Sequence, residues 1–286
     1  MVEAFKTLGY QVDLVVGTVV DRKHAIDIIR KNIENGIRYD FVYSESSTMP
    51  TLLTESNHMP ISPLVDFGFF KFVKSRDIPI GLFYRDIYWM FPEYKESLPF
   101  WKFKLAEYFY KYDIRQYQRY LKKLYLPSIK MTQYIKIGNS DIFEELPPGH
   151  DKTLCEPEVN RYDKKLRLLY VGGVGPFYKI HKVFEAVSSF IENIELVICT
   201  RKEEWESVRN EYMNPLPSNI SIVHKSGDEL IDLYSKSDIT LLFAEPYKYR
   251  DFAVPFKLFE YIGYNKPIIA SAGTLSGEFI SENKIS

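Results

Sequence analysis

Short apolar runs separated by amphipathic stretches fill the second half of the chain. Leu166–Val171, Ile194–Thr200, Ile220–His224, Ile239–Ala244 and Pro267–Ala270 read as strands. Helical periodicity lies between them, over about 180–191, 202–212 and 228–235, and again from Pro255. Buried strands alternating with helices predict a parallel, doubly wound sheet whose ligands sit at the carboxyl ends of the strands. The first half alternates as well. It reads as helix Val2–Leu8, strand Gln11–Val16, helix Arg22–Asn35, strand Tyr39–Tyr43, helix Leu64–Ser75 and strand Ile78–Tyr84. A long aromatic helical region, a strand at Leu124–Leu126 and a Pro147-Pro148-Gly149 turn follow. The polar, turn-rich stretch from Pro147 to about Lys165 reads as a linker. The pattern therefore predicts an α/β chain of two Rossmann-like domains, 1–155 and 156–286.

Composition narrows the class. At 286 residues, with 45% hydrophobic and 26% charged content, the chain has enough material for two buried cores. No apolar run reaches the length of a membrane span, and no signal-peptide pattern opens the chain. Cys155 and Cys199 lie far apart without a partner motif, and the five histidines lack metal-ligand spacing, so neither a disulfide framework nor a zinc site is expected. A reducing cytoplasm is the expected setting. The net charge of −1 argues against nucleic acid as a partner. Residues 94–136 depart from this balance, with 12 aromatics and 10 Lys+Arg against 3 Asp+Glu. A basic, aromatic helical surface suits peripheral docking on an anionic membrane face, or a core helix whose lysines snorkel to water.

The run Pro255-Phe256-Lys257-Leu258-Phe259-Glu260-Tyr261, continuing to Lys266-Pro267-Ile268-Ile269-Ala270-Ser271, carries the clearest chemistry. Pro255 suits the first position of a helix, where a missing N–H costs nothing. Lys257 and Glu260, three apart, share one face near the helix N-terminus, where free N–H groups and the helix dipole favour an anion. A lysine there suits a diphosphate, and a carboxylate one turn deeper can accept from two ribose hydroxyls. The spacing equally describes an amphipathic helix with a solvated ion pair. Gly172-Gly173-Val174-Gly175 follows a strand and precedes a helix, so its backbone N–H groups can approach a phosphate, although it also suits a plain tight turn and lacks the dinucleotide fingerprint.

The Pro255 run resembles the nucleotide-binding signature of GT-B-fold glycosyltransferases, in particular the family 4-like group. So do Tyr125–Met131 and the Leu146-Pro147-Pro148-Gly149-His150-Asp151 turn. The resemblance covers nearly all of the chain. In that family an opening strand and glycine-rich loop precede the first helix seen here, and a last strand and helices follow, so the resemblance implies a fold incomplete at both termini. It assigns Glu260 to the donor ribose, Lys257 and Lys179 to the diphosphate, and Gly172, Gly173 and Gly175 to the loop against the phosphates. Two departures stand out: Gly173 replaces a common arginine, and Phe252 stands where many members carry a second glutamate. Glu245 and Asp251 lie in the same loop without the family's spacing.

In the first half, the strand ending Gly81-Leu82-Phe83-Tyr84-Arg85-Asp86 runs into Tyr88 and Trp89. Asp86 is a candidate to polarise an acceptor hydroxyl and Arg85 to hold an anionic group, with Glu45 a second candidate carboxylate; an Arg–Asp pair capping the next helix is the plainer alternative. No Asp-x-Asp triplet is present, in keeping with a metal-independent site without a cofactor. The resemblance implies a retaining glycosyltransferase that moves a sugar from a nucleoside-diphosphate sugar to a glycan or lipid-linked acceptor in cell-surface polysaccharide synthesis, at the inner face of the membrane. The resemblance also implies that the two domains face across a cleft, whose closure would exclude water. A sugar-nucleotide epimerase and a non-catalytic or truncated relative are the rival readings.

Overall fold

A computed structural model describes residues 1–55, 57–60, 62–153, 165–175 and 178–285. The chain divides into two compact units, Met1–Leu146 and Pro147–Ser286. The expected domain boundary after residue 155, the second half of the expected linker, Cys155 and Pro176 lie outside the described residues.

The first unit contains α1 (Val2–Thr7), α2 (Val19–Glu34), β1 (Val42–Glu45), α3 (Val65–Lys74), β2 (Ile80–Phe83), α4 (Pro92–Glu96), α5 (Phe100–Tyr120), β3 (Lys123–Leu126) and β4 (Phe143–Glu145). The strands form a parallel sheet in the order β1-β2-β3-β4. α2 starts at a capping box in which Thr18 and Asp21 each satisfy a backbone N–H of the other. α5 buries Phe103, Ala106, Tyr110, Asp113, Ile114 and Tyr117, a three-and-four spacing that aims one stripe at the core. Aromatic packing dominates that core: Trp89 stacks on Tyr110 with ring centroids 4.8 Å apart, and the Tyr117 ring meets those of Phe67 and Tyr84.

The second unit contains β5 (Leu166–Val171), α6 (His181–Ser188), β6 (Ile194–Cys199), α7 (Lys202–Val208), β7 (Ile220–Val223), α8 (Glu229–Lys236), β8 (Ile239–Leu242), α9 (Phe256–Gly263), β9 (Ile268–Ala270) and α10 (Leu275–Asn283). Its sheet is parallel, in the order β7-β6-β5-β8-β9. Alternation along β5 sends Leu168 and Tyr170 into a core with Phe184, Trp205 and Tyr212. Leu169 goes to the other face, with Tyr234, Leu258, Tyr261 and Ile268. Helices thus cover both faces, which is why these strands read as nearly continuous apolar runs. The chain order reverses between β5 and β8, the kind of switch point at which open parallel sheets bind ligands.

Several expected elements are corrected. Gln11–Val16 has the alternation of a strand yet joins no ladder, and Leu14 and Val16 are exposed. Alternation alone makes a segment extended; only a neighbour with free N–H and C=O groups makes it a strand. The strand expected at Tyr39–Tyr43 lies at Val42–Glu45, because its limits follow the pairing with Ile80–Phe83. β4, which lies ahead of the Pro147 turn and was not among the expected strands, pairs with β3. The helices expected to reach residues 191 and 212 stop at Ser188 and Val208, the latter passing into a 3-10 turn over Arg209–Glu211. Pro255 caps α9 rather than opening its first turn.

Asp113 is buried beneath Thr51, whose backbone N–H donates to its Oδ2 at 2.7 Å, while Oδ1 has no hydrogen-bond partner among the described residues. Desolvation pushes its carboxyl up to about 7, against the lowering effect of Thr51 and with a raising contribution from Asp66. A folded-state value above the unfolded one means that the native protein holds the proton more tightly. Stability from this group is therefore greatest below pH 4, falls as pH rises through 7 and is flat beyond. Asp113→Asn should remove that decline and stabilise the chain at pH 8 by roughly 2–4 kcal/mol relative to the parent. Denaturant melts at pH 5 and pH 8 check this; equal slopes for both proteins would contradict it.

Candidate functional site

The carboxyl end of β5 and the start of α9 meet at the switch point of the second unit. Tyr170, fully buried, donates from its hydroxyl to the carbonyl of Gly173 at 2.6 Å, bending the loop back over the strand end. Gly172 adopts φ +147°, a conformation that side chains other than hydrogen rarely take, and its N–H donates to the Cys199 carbonyl at 2.9 Å. The absence of a side chain there has a second use: a Cβ on Gly172 would land on the amine of Lys257.

Lys257 reaches this position from the first turn of α9. Its Nζ donates to the Tyr170 hydroxyl at 3.1 Å and lies 4.3 Å from the centre of the Tyr170 ring and 5.4 Å from that of Tyr178. Burial pushes the Lys257 ammonium down to about 8, and the positive charge of Arg250 adds to the effect, while Glu260 and Glu204 oppose it. One turn further along, Glu260 is half-buried and its Oε1 accepts from the Tyr234 hydroxyl at 2.9 Å. Tyr261 anchors the helix to the strand, its hydroxyl accepting from the Val171 N–H at 3.0 Å. Gly172, Gly173, Lys257 and Glu260 are therefore collected by one strand end and one helix. Lys179 is exposed ahead of α6.

Two residues of this region were not singled out by sequence. Arg250, from the loop between β8 and α9, is largely buried, its guanidinium 5.0 Å from the Tyr178 ring centre and 5.5 and 5.6 Å from those of Tyr247 and Tyr249. It brings a second cation towards Lys257, although position 173 lacks one. The tyrosines spaced around Arg250 in Tyr247-Lys248-Tyr249-Arg250 were the available signal. Glu204, from α7, is the second: its Oε1 accepts from the backbone N–H groups of Val174 and Gly175 at 3.0 and 2.9 Å. No spacing rule links a glutamate on one helix to a loop thirty residues earlier.

The other loop residues go elsewhere. Phe252 is buried core, and Glu245 pairs with Lys182 at 3.0 Å. In the first unit, Asp86 Oδ1 accepts from the N–H groups of Ile87 and Tyr88 at 2.6 and 3.0 Å, directly ahead of the 3-10 turn over Tyr88–Met90. Arg85 pairs with Glu45 at 3.2 Å, so two of the acceptor candidates are joined to each other. Among the described residues no three His, Cys, Asp or Glu side chains converge to hold a metal ion.

No family model and no curated protein matches the chain. Solved structures do. A Streptococcus agalactiae structure described as the Glycosylation Associate Protein (Gap123) complex aligns over 95% of this chain and 50% of its own, at 10% identity and a TM-score of 0.51. WaaG, described as a glycosyltransferase involved in lipopolysaccharide biosynthesis, aligns over 94% of this chain and 82% of its own, at 14% identity and a TM-score of 0.48. Acinetobacter baumannii MurG aligns over 98% and 71%, at 14% identity and a TM-score of 0.44. The chain spans half the length of the Streptococcus agalactiae protein. The likeness is one of fold: α/β, with a parallel sheet in each of two units.

Proposed function

We propose that the chain is a glycosyltransferase that moves a sugar from a nucleoside-diphosphate sugar to a glycan or lipid-linked acceptor in cell-surface polysaccharide synthesis. One observation carries the reading: Lys257 and Glu260 stand on a single helix at the switch point of a parallel sheet, with the lysine amine against the glycine of the facing loop. Parallel sheets bind ligands at that place, and a cation with a carboxylate one turn deeper suits a diphosphate followed by a ribose. Lys257 and the exposed Lys179 face the diphosphate, Glu260 accepts from the ribose hydroxyls, and Gly172, Gly173 and Gly175 let the backbone approach the phosphates.

When the bond from the sugar C1 to the diphosphate breaks, negative charge develops on the leaving group. Fixed positive charge beside it stabilises the transition state without a metal ion. In the first unit, Asp86 polarises the acceptor hydroxyl and Arg85 holds an anionic group of the acceptor. The reaction is retaining and takes place in the cytoplasm at the inner membrane face. Support for membrane contact comes from α5, where Phe100, Trp101 and Tyr108 are exposed among Lys102, Lys104 and Lys111. No helix among the described residues is long and apolar enough to cross a membrane.

A thermal-shift panel with UDP, GDP, ADP and CMP tests the donor site. One diphosphate should raise the melting temperature of the parent chain and fail to do so for Glu260→Ala; a ligand at a hundredfold excess over its Kd adds about 2.7 kcal/mol. A flat response of a cooperatively melting parent to all four would sink the reading. Binding should also depend on pH. The Lys257 pKa of about 8 in the free protein rises when a diphosphate arrives, so affinity is full below pH 8 and declines up to about tenfold per unit above it. Titration calorimetry at pH 7 and pH 9 checks this, with Lys257→Met expected to abolish the dependence along with most of the affinity. Co-sedimentation with anionic phosphatidylglycerol vesicles, but not with neutral ones, is expected of the parent chain and lost in the Phe100→Ser, Trp101→Ser double variant.

A further inference from the structure

The glycine loop already holds an anion. The N–H groups of Val174 and Gly175, consecutive along the chain, both point at a single oxygen, Glu204 Oε1, at 3.0 and 2.9 Å. Consecutive backbone N–H groups aimed at one point form a concavity suited to a negatively charged oxygen, the arrangement used for phosphate. Val174 and Gly175 are themselves buried, and the Glu204 side chain is 23% exposed, so the carboxylate lies between the two donors and solvent. It fills the space beside the glycines too, since a Cβ on Gly173 would meet Glu204 Oε1 at 2.8 Å and one on Gly175 at 3.0 Å. Glu204 also adds negative charge to the surroundings of Lys257. Its cationic neighbour, Arg201, is loosely placed, with Nε 3.8 Å from Oε2 and the arginine side chain 85% exposed.

From this geometry we infer that Glu204 occupies the phosphate seat of the loop and must leave it before a diphosphate can take the two N–H groups. The inference rests on the donor-site reading given above and assigns a specificity-determining role to a residue outside it. A carboxylate and a phosphate oxygen cannot share one pair of donors, and their like charges repel at hydrogen-bonding distance. The resident carboxylate therefore acts as an intramolecular competitor. Ligands whose charge is too small to displace it, such as a monophosphate or an inorganic monoanion, are held off, while a diphosphate that also engages Lys257 is favoured. The apparent affinity for any phosphate is reduced by the fraction of time that the seat is filled.

Inorganic pyrophosphate is the probe, titrated calorimetrically into the full chain and into Glu204→Gln, Glu204→Ala and Glu203→Gln. The glutamine keeps the shape and weakens the acceptor, the alanine empties the seat, and Glu203→Gln removes the same charge from the exposed neighbour in the same turn. Both Glu204 variants should bind pyrophosphate about tenfold more tightly than the parent, the factor that one charged hydrogen bond supplies, while Glu203→Gln stays within about twofold of the parent. Melting curves without ligand show which variants fold; if the alanine does not, the glutamine decides. Unchanged or weaker pyrophosphate binding in a folded Glu204 variant overturns the inference and makes Glu204 a strut for the loop, as does a gain of equal size in Glu203→Gln. The nucleotide panel is read separately on the same proteins. A nucleoside diphosphate that binds through Glu260 but more weakly in Glu204→Gln leaves the donor site standing and removes the competitor. Tighter pyrophosphate binding with no response to any nucleotide retains the competitor and removes the donor-site reading.

Discussion

A buried tyrosine hydroxyl holds the second unit and its candidate site together. The ring of Tyr170 belongs to the core under α6 and α7, while its oxygen bonds the Gly173 carbonyl and receives the Lys257 amine. An ammonium brought this far from water needs an acceptor and a π-face, and Tyr170 offers both. Gly172 then has to remain a glycine, because the space that a side chain would need is filled by the lysine. Strand end, loop and helix start are thereby set by one group, and the perturbed Lys257 follows from the same burial.

The loop donors and the helix cation are arranged differently. Lys257 is constrained by packing, whereas the N–H groups of Val174 and Gly175 are satisfied by a long side chain that rotates about several bonds. Buried donors have to be paired with something, and here a carboxylate from α7 serves. Arg250 brings its positive charge by a comparable route, lying against Tyr178, Tyr247 and Tyr249.

In the first unit the charged residues at the strand ends already have local partners. Asp86 at the end of β2 spends Oδ1 on two backbone N–H groups, and Arg85 is matched with Glu45 on the neighbouring strand. Charged residues at strand ends are drawn to unpaired backbone groups and to each other whether or not a substrate is involved. Asp113 is the contrasting case, a carboxylate within an aromatic core with a single backbone donor on one oxygen.

The sequence by itself determined the class of fold and the placing of its best motif. Leu166–Val171 and Ile194–Thr200 are apolar without alternation because both faces of their sheet are covered, and that pattern survives in any linear reading. Lys257 and Glu260 share a face because three residues make most of a helical turn, a relation local enough to be read directly. Whatever depended on a partner distant along the chain was decided only in three dimensions. Gln11–Val16 has the composition of a strand and no ladder, β4 is a strand because β3 lies beside it, and Asp86 Oδ1 is engaged because the Ile87 and Tyr88 N–H groups turn back on it. Glu204 reaches the glycine loop from α7, and Arg250 reaches Tyr178 and the surroundings of Lys257 from the loop before α9, across separations that periodicity does not encode. Propensity and spacing act over a turn or two of chain; hydrogen-bond partners and charge neighbours are chosen by the packing that brings remote segments together.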